Sequence, residues 1–306
     1  MKISISAKDK YCQCKRSYKL HYVDKIRPIR QSSALIFGSA LDNALNYLLE
    51  HHKESGVLFS VCDIFDSGWS KYEHAENIDY FASDLDISLL SPSDCEALDS
   101  MPEGAKKAHR ANWLSLKAKG NKLLTVYHAE ILPRIQEVIS IQKNISIKGS
   151  CEDGNETEDE IIGIIDLEAK IELADGSVVH AILDNKSTSS PYAKNSVLTK
   201  HQTALYTYAT GIKHAGFLTM NKKNFKTQVI VDIVPEDLQD KVISEFIEVV
   251  QDIKDEKFEK NERNKCYAFG KLCDYYSLCW KDDMKGLTTK EERDSIKVEV
   301  KNEKTI

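Results

Sequence analysis

The chain has 306 residues, 42% of them hydrophobic and 29% charged, an ordinary mix for a globular protein with a sizeable core. No apolar run reaches the ~20 residues that span a bilayer. The start, Met1-Lys2-Ile3-Ser4-Ile5-Ser6, has no signal-peptide core, so a cytoplasmic location is expected. A net charge of −6 argues against a general nucleic-acid coat but leaves room for a local basic groove.

Residues 6–24 read as a helix with a Tyr/Leu face. From Lys10 to Arg30, seven basic residues (Lys10, Lys15, Arg16, Lys19, Lys25, Arg27, Arg30) stand against one acid, Asp24, with Tyr11, Tyr18 and Tyr22 interleaved. Such a stretch suits phosphate contacts and base stacking. It equally suits a solvated helix face above a packed tyrosine stripe. Lys15, Arg16 and Lys19 are the candidate nucleic-acid contacts.

Residues 33–53 form a strong helix, with Ala34, Leu35, Phe37, Leu41, Leu45, Leu48 and Leu49 at helical spacing. Asp42 lies on it, and Gly38 would allow close approach to a sheet. Residues 56–102 are mixed, with helix near 60–74 and a Ser/Asp/Pro-rich stretch at 83–102. Residues 104–140 read as long helical matter that Pro133 breaks or kinks. The whole of 56–140 is expected to be a helical insertion.

Strands follow. Residues 146–149 suggest a short one and 152–158 a polar turn. Then β-branched runs flank Ala174-Asp175-Gly176 within 160–186, a strong hairpin signal. A three-residue loop with Gly left-handed pairs Leu173 with Ser177 and sets Asp166 opposite Asp184. A two-residue loop would put the two carboxylates on opposite faces. Residues 195–213 read as a helix ending at 214–216, and 217–221 with 226–233 as a second hairpin. Pro235 opens an amphipathic helix to about Lys257. Residues 281–306 are charged and read as a flexible tail. No internal repeat is present. The order of elements over 34–233 gives an α/β core with a mixed sheet and an added helical layer.

Asp184 and Lys186 are two apart and share a face in either register. Asp166 stands in an apolar run, where an unpaired carboxylate is costly. A divalent cation would remove that cost, and oxygen ligands suit Mg²⁺ or Mn²⁺. The lysine could then orient water or steady charge on a phosphate. The plain alternative is a buried Asp–Lys ion pair. Downstream, Gln202 and Tyr206 lie four apart on one helix face, suited to holding a phosphate or a water.

Eight cysteines in such a chain suggest ligation rather than disulfides. Cys266, Cys273 and Cys279 are separated by six and then five residues. A fourth sulfur would come from Cys14 or Cys12. The spacing is unlike a zinc ribbon, so a 4Fe–4S cluster is favoured over zinc.

Together these elements resemble the RecB-like branch of the PD-(D/E)XK nuclease superfamily, in its iron–sulfur members: CRISPR-associated RecB-type exonucleases, the AddB nuclease domain, and phage and bacterial exonucleases. The acid and acid-x-Lys look like Asp166 and Asp184-Asn185-Lys186. The Gln-x-x-x-Tyr motif looks like Gln202 and Tyr206. The N-terminal cysteine looks like Cys14, and the C-terminal triple like Cys266, Cys273 and Cys279. The chain departs in having Asp42 where the family often carries His, Lys15 where it has Pro, and a gap of six after Cys266.

The resemblance implies a restriction-endonuclease-like core over residues 1–280 as one domain, its two ends joined by the cluster. It implies a Mg²⁺- or Mn²⁺-dependent DNA exonuclease in recombination, repair or processing, in a bacterial or phage-infected cytoplasm. Asp42, Asp166, Asp184 and the Asn185 backbone carbonyl would hold metal, with Lys186, Gln202 and Tyr206 completing the catalytic set. DNA with free ends would be the substrate, and a helicase or recombination protein a partner. The alternative is a recombination accessory protein that keeps the fold and binds nucleic acid without cutting.

Overall fold

The computed structural model describes residues 1–54, 56–75, 77–150, 156–268 and 271–294. In chain order the elements are β1 (Lys2–Ser4), α1 (Ile5–Gln13), α2 (Lys15–Tyr18), β2 (Arg27–Pro28), β3 (Gln31–Ser32), α3 (Ser33–Glu50), α4 (Val57–Ser70), β4 (Ile78–Asp79), α5 (Pro92–Asp99) and α6 (Ala105–Val126). Then come β5 (Ile135–Ser150), β6 (Glu156–Glu172), β7 (Val178–Thr188), α7 (Ser196–Thr199), α8 (His201–Thr210), β8 (His214–Asn221), β9 (Thr227–Ile233), α9 (Glu236–Lys254), β10 (Tyr267–Ala268), β11 (Lys271–Leu272), α10 (Tyr276–Lys281) and β12 (Leu287–Thr288). Among the described residues no helix is long and apolar enough to cross a membrane.

The chain divides into two compact units. The larger holds residues 31–145 and 163–242. Its sheet runs β6-β7-β8-β9, antiparallel, then parallel, then antiparallel, and β5 pairs with β6. This is the mixed sheet of a restriction-endonuclease-like α/β fold. Alternate residues Leu167, Ala169, Ile171 and Leu183 join Leu218 and Met220 in a core with α3, α4 and α6, whose Phe37, Leu45, Phe65, Trp69 and Leu123 are buried. The period of two places Asp184 on the other side, where α8 packs on β7 and β8. Helices therefore flank the sheet on both faces.

The register of the first hairpin is the three-residue one. Glu172 pairs with Val178 and Leu167 with Leu183, Leu173 N donates to Ser177 O at 2.8 Å, and Gly176 takes φ +83°. The ladder ends at Leu167 and Leu183, so that Asp166 and Asp184 are the residues just beyond its last pair.

Three expectations need correction. Residues 135–140 are strand, not helix: β5 begins after the Pro133 break, and Ile135, Val138, Ile139, Ile141 and Ile145 favour extended chain. The helix before residue 214 ends at Gly211, which takes φ +70°, and β8 starts at His214. The stretch 56–140 is not all helix, since β4 lies within it and pairs in parallel with β3.

The smaller unit gathers residues 1–30, 146–162 and 243–306. There β1 runs parallel to the start of β6, with Lys2 opposite Glu160. Leu287 pairs with Pro28 and is buried with Leu20 and Tyr275. Ordered chain thus continues past residue 281, because Leu287 has an apolar niche to fill. Residues 295–306 of the expected tail lie outside the described residues.

Candidate active site

Asp166 comes from β6, and Asp184, Asn185 and Lys186 come from β7. The Asp184 carboxylate is 4% exposed. Its Oδ1 accepts from Gln202 Nε2 at 2.6 Å, and Lys186 Nζ lies 2.5 Å from Oδ2. That ion pair is close but poorly aligned for a hydrogen bond, so Oδ2 retains accepting capacity. Burial would lower the Lys186 pKa, but Asp184 and then Asp166 hold it above the ordinary lysine value.

Asp166 is half-buried and accepts from Asn185 N at 3.2 Å. Burial first, then the charge of Asp184, pushes its carboxyl up to about 8, against the pull of Lys186. Glu168, two residues along the same strand, gives the contrast. It is buried and meets Lys143 at 2.8 Å, His180 at 3.0 Å and Ser140 at 3.2 Å. Burial raises its pKa, yet these partners outweigh that and hold it below the usual glutamate value. One buried acid is neutralised by the protein; the other is left for something else.

Asp42 reaches the same place from α3. Its carboxyl is raised by burial and then by Asp184, with Lys186 pulling it down. Asp42, Asp166, Asn185 and Lys186 line one cleft of about 500 Å³, with Gly38, Ser39 and Ser187. No Cβ-sized obstacle stands over Gly38. Among the described residues, no group of three or more His, Cys, Asp or Glu stands ready to hold a metal ion.

Gln202 and Tyr206 sit on one face of α8, as spaced. Their roles are internal. Gln202 holds Asp184, while Tyr206, 6% exposed, donates to Ile164 O at 2.7 Å and so pins β6. Gly163 makes room for that ring, since a Cβ there would lie 2.8 Å from Tyr206 Cε1. Tyr206 is not free to touch DNA.

Two site residues escape sequence reasoning. Tyr127, fully buried in a π-helical turn after α6, donates to Asn185 Oδ1 at 3.0 Å. Tyr192 follows β7; its ring packs on Phe217, the ladder neighbour of Asp184. Gln228 clamps its backbone at 2.9 and 3.1 Å, and its hydroxyl is in electrostatic reach of Lys186 and Asp184. Neither carries a local spacing signal, because both contacts are made across the fold.

In the smaller unit the basic stretch is largely occupied. Lys15 pairs with Asp252 at 3.1 Å and Lys19 with Asp24 at 2.6 Å. Tyr11 and Tyr18 are buried edge to face, ring centroids 5.4 Å apart, so they cannot stack on bases. Arg16 N donates to Glu259 O at 3.1 Å, and its guanidinium charge reaches Cys279.

Cys14 separates α1 from α2 in extended backbone. Burial raises the thiols of Cys273 and Cys279, and each also feels Cys14 and Cys266. Cys14 and Cys266 are thus in electrostatic reach of both Cys273 and Cys279, but among the described residues no three cysteines stand ready to hold a metal ion. The Cys12 thiol is raised by burial, with Lys8 pulling it down and Asp9 and Glu245 adding to the rise.

One comparison bears on the family. The sequence model of the PD-(D/E)XK nuclease superfamily matches residues 2–280. No curated protein matches. Among solved structures, "Crystal structure of SSO0001" is similar over 80% of this chain and 96% of its own, with 14% identity and a TM-score of 0.34.

Proposed function

We propose, from the premise that the chain belongs to the PD-(D/E)XK nuclease superfamily, that it is a metal-dependent DNA exonuclease with a structural 4Fe–4S cluster. The observation that carries the reading is the meeting of Asp166, Asp184 and Lys186 at one hairpin, where Asp166 and Lys186 line a cleft with Asp42. The exonuclease class and a role in recombination or repair rest on the resemblance of the Asp184-Asn185-Lys186, Gln202/Tyr206 and cysteine motifs. A cytoplasmic location and a helicase or recombination partner belong to the same reading.

The donor set fits a divalent cation. Asp42 and Asp166 are both raised by burial and by Asp184, and a cation would relieve both at once. Asp42, Asp166, Asp184 and the Asn185 backbone carbonyl would hold it. Mg²⁺ or Mn²⁺, the ions typical of this superfamily, would supply water activation and charge neutralisation for phosphodiester hydrolysis. Gln202 keeps the Asp184 carboxylate aimed. Lys186 shares that carboxylate and is placed to steady charge on the phosphate. Tyr206 fixes the strand that carries Asp166.

The cluster reading rests on the cysteine motif and is supported by the electrostatic reach of Cys14 and Cys266 to Cys273 and Cys279. Zinc is the less favoured occupant, given gaps of six and five residues. One observation favours the non-cutting accessory reading. The Asp184 carboxylate is already engaged by Gln202 and Lys186.

The test is cleavage of end-labelled single- and double-stranded DNA with Mg²⁺, Mn²⁺ or EDTA. Anaerobically purified wild type is set beside Asp184→Ala. Metal-dependent shortening by the wild type alone is expected, with Asp184→Ala slower by about 10³-fold or more. Binding without cutting under every metal would replace this reading with the accessory one.

A further inference from the structure

Asn185 lies between Asp184 and Lys186, so its side chain leaves the strand on the side opposite to theirs. Tyr127 meets it there and donates to Oδ1 at 3.0 Å. Tyr127 is fully buried, and its hydroxyl is an ordinary neutral donor. One end of the carboxamide is thereby fixed. The other end, Nδ2, is buried and has no hydrogen-bond partner among the described residues. Asn185 nevertheless lines the cleft that holds Asp42, Asp166 and Lys186.

A buried amide with an unmade hydrogen bond is costly and calls for an occupant. Nδ2 can only donate, so it repels a cation and favours an anionic oxygen. The acids in the same cleft can only accept when ionised. Cleft and amide together offer a cation-holding side and an oxygen-holding side to one group, and a phosphodiester has both needs.

We propose that the Asn185 side chain contacts substrate, its Nδ2–H donating to a non-bridging oxygen of the scissile phosphodiester, and that Tyr127 is the positioning residue that aims it. This deepens the nuclease reading and rests on it. It also separates two roles in one residue, the carbonyl facing metal and the amide facing phosphate.

The experiment is single-turnover cleavage of DNA with Mg²⁺ by wild type, Asn185→Leu, Tyr127→Phe and the double variant. Asn185→Leu keeps the backbone carbonyl and the approximate volume. It is expected to slow the chemical step about a hundredfold while the Mg²⁺ midpoint stays within about threefold. Tyr127→Phe should lose less, and the double variant should be no slower than Asn185→Leu, because the hydroxyl acts through the amide. Replacing one non-bridging oxygen by sulfur adds a readout that packing would not move. One of the two diastereomers should slow the wild type yet add little to Asn185→Leu. Should Asn185→Leu fail to fold, Tyr127→Phe carries the same sulfur test and should lose part of the diastereomer preference. Wild-type rates in Asn185→Leu, additive losses, or an unchanged preference would overturn the proposal. A wild type that cuts nothing with Mg²⁺ or Mn²⁺ is a different result, and brings down the nuclease reading together with this one.

Discussion

Asp166 and Glu168 define the chemistry at the scale of single residues. They share a strand and a face, and differ in what the protein offers them. Because the Asp166 carboxyl is raised to about 8, its folded pKa exceeds the unfolded value of about 4. Its stabilising contribution is full below about pH 4 and is lost as pH climbs through about 8. Metal-free protein should therefore lose melting temperature between about pH 5 and about pH 9, and Asp166→Asn should lose less over the same range. Adding Mg²⁺ should restore more stability at the alkaline end, since the cation binds the ionised form. Equal pH slopes for the two proteins would show that another group governs the trend. At this scale much was legible in the sequence. The Asp-Gly turn set the register, and Asp166 and Asp184 follow just beyond its last pair. Tyr127 and Tyr192 were not legible, because their meaning comes from Asn185 and Phe217, distant along the chain.

At the scale of elements, β6 is positioned by α8 through one aromatic ring. The fit at Gly163 is tight: a methyl there would press on Tyr206 and Ile145. Gly163→Ala should cost about 1–3 kcal/mol, measured by denaturant unfolding. The double variant with Tyr206→Ala should cost less than the sum of the two single losses, since the clash partner is gone. Independent, additive losses would mean that the ring does not bear on the strand. The helices α3 and α4 and the hairpin β6–β7 were readable because each pattern is local and strongly periodic. Strand β5 was not. Its apolar residues fit both periods, and only the pairing with β6 decides between them. The tyrosines of α1 and α2 were ambiguous for a similar reason, since burial rather than composition makes them structural.

At the scale of the molecule, the smaller unit is built from the two ends of the chain and a middle segment. The proposed cysteine ligands follow that division, Cys14 from one end and Cys266, Cys273 and Cys279 from the other. Cys14→Ser should lower the iron content of anaerobically prepared protein and its visible absorption, whereas Cys12→Ser should leave both unchanged. Iron loss in both variants, or in neither, would refute this choice of ligands; stoichiometric zinc in place of iron would leave the grouping but change the occupant. The same division has a consequence for synthesis. Residues 1–30 leave the ribosome more than two hundred residues before residue 243 is made. At about 5–20 residues per second that is a delay of roughly ten to forty seconds. Through that interval Ile3, Tyr11 and Tyr18, nearly inaccessible in the finished fold, lack part of the surface that covers them. The nascent chain therefore presents an early, sticky amino-terminal segment to chaperones, and slowing translation should lower soluble yield more than slowing cell growth alone.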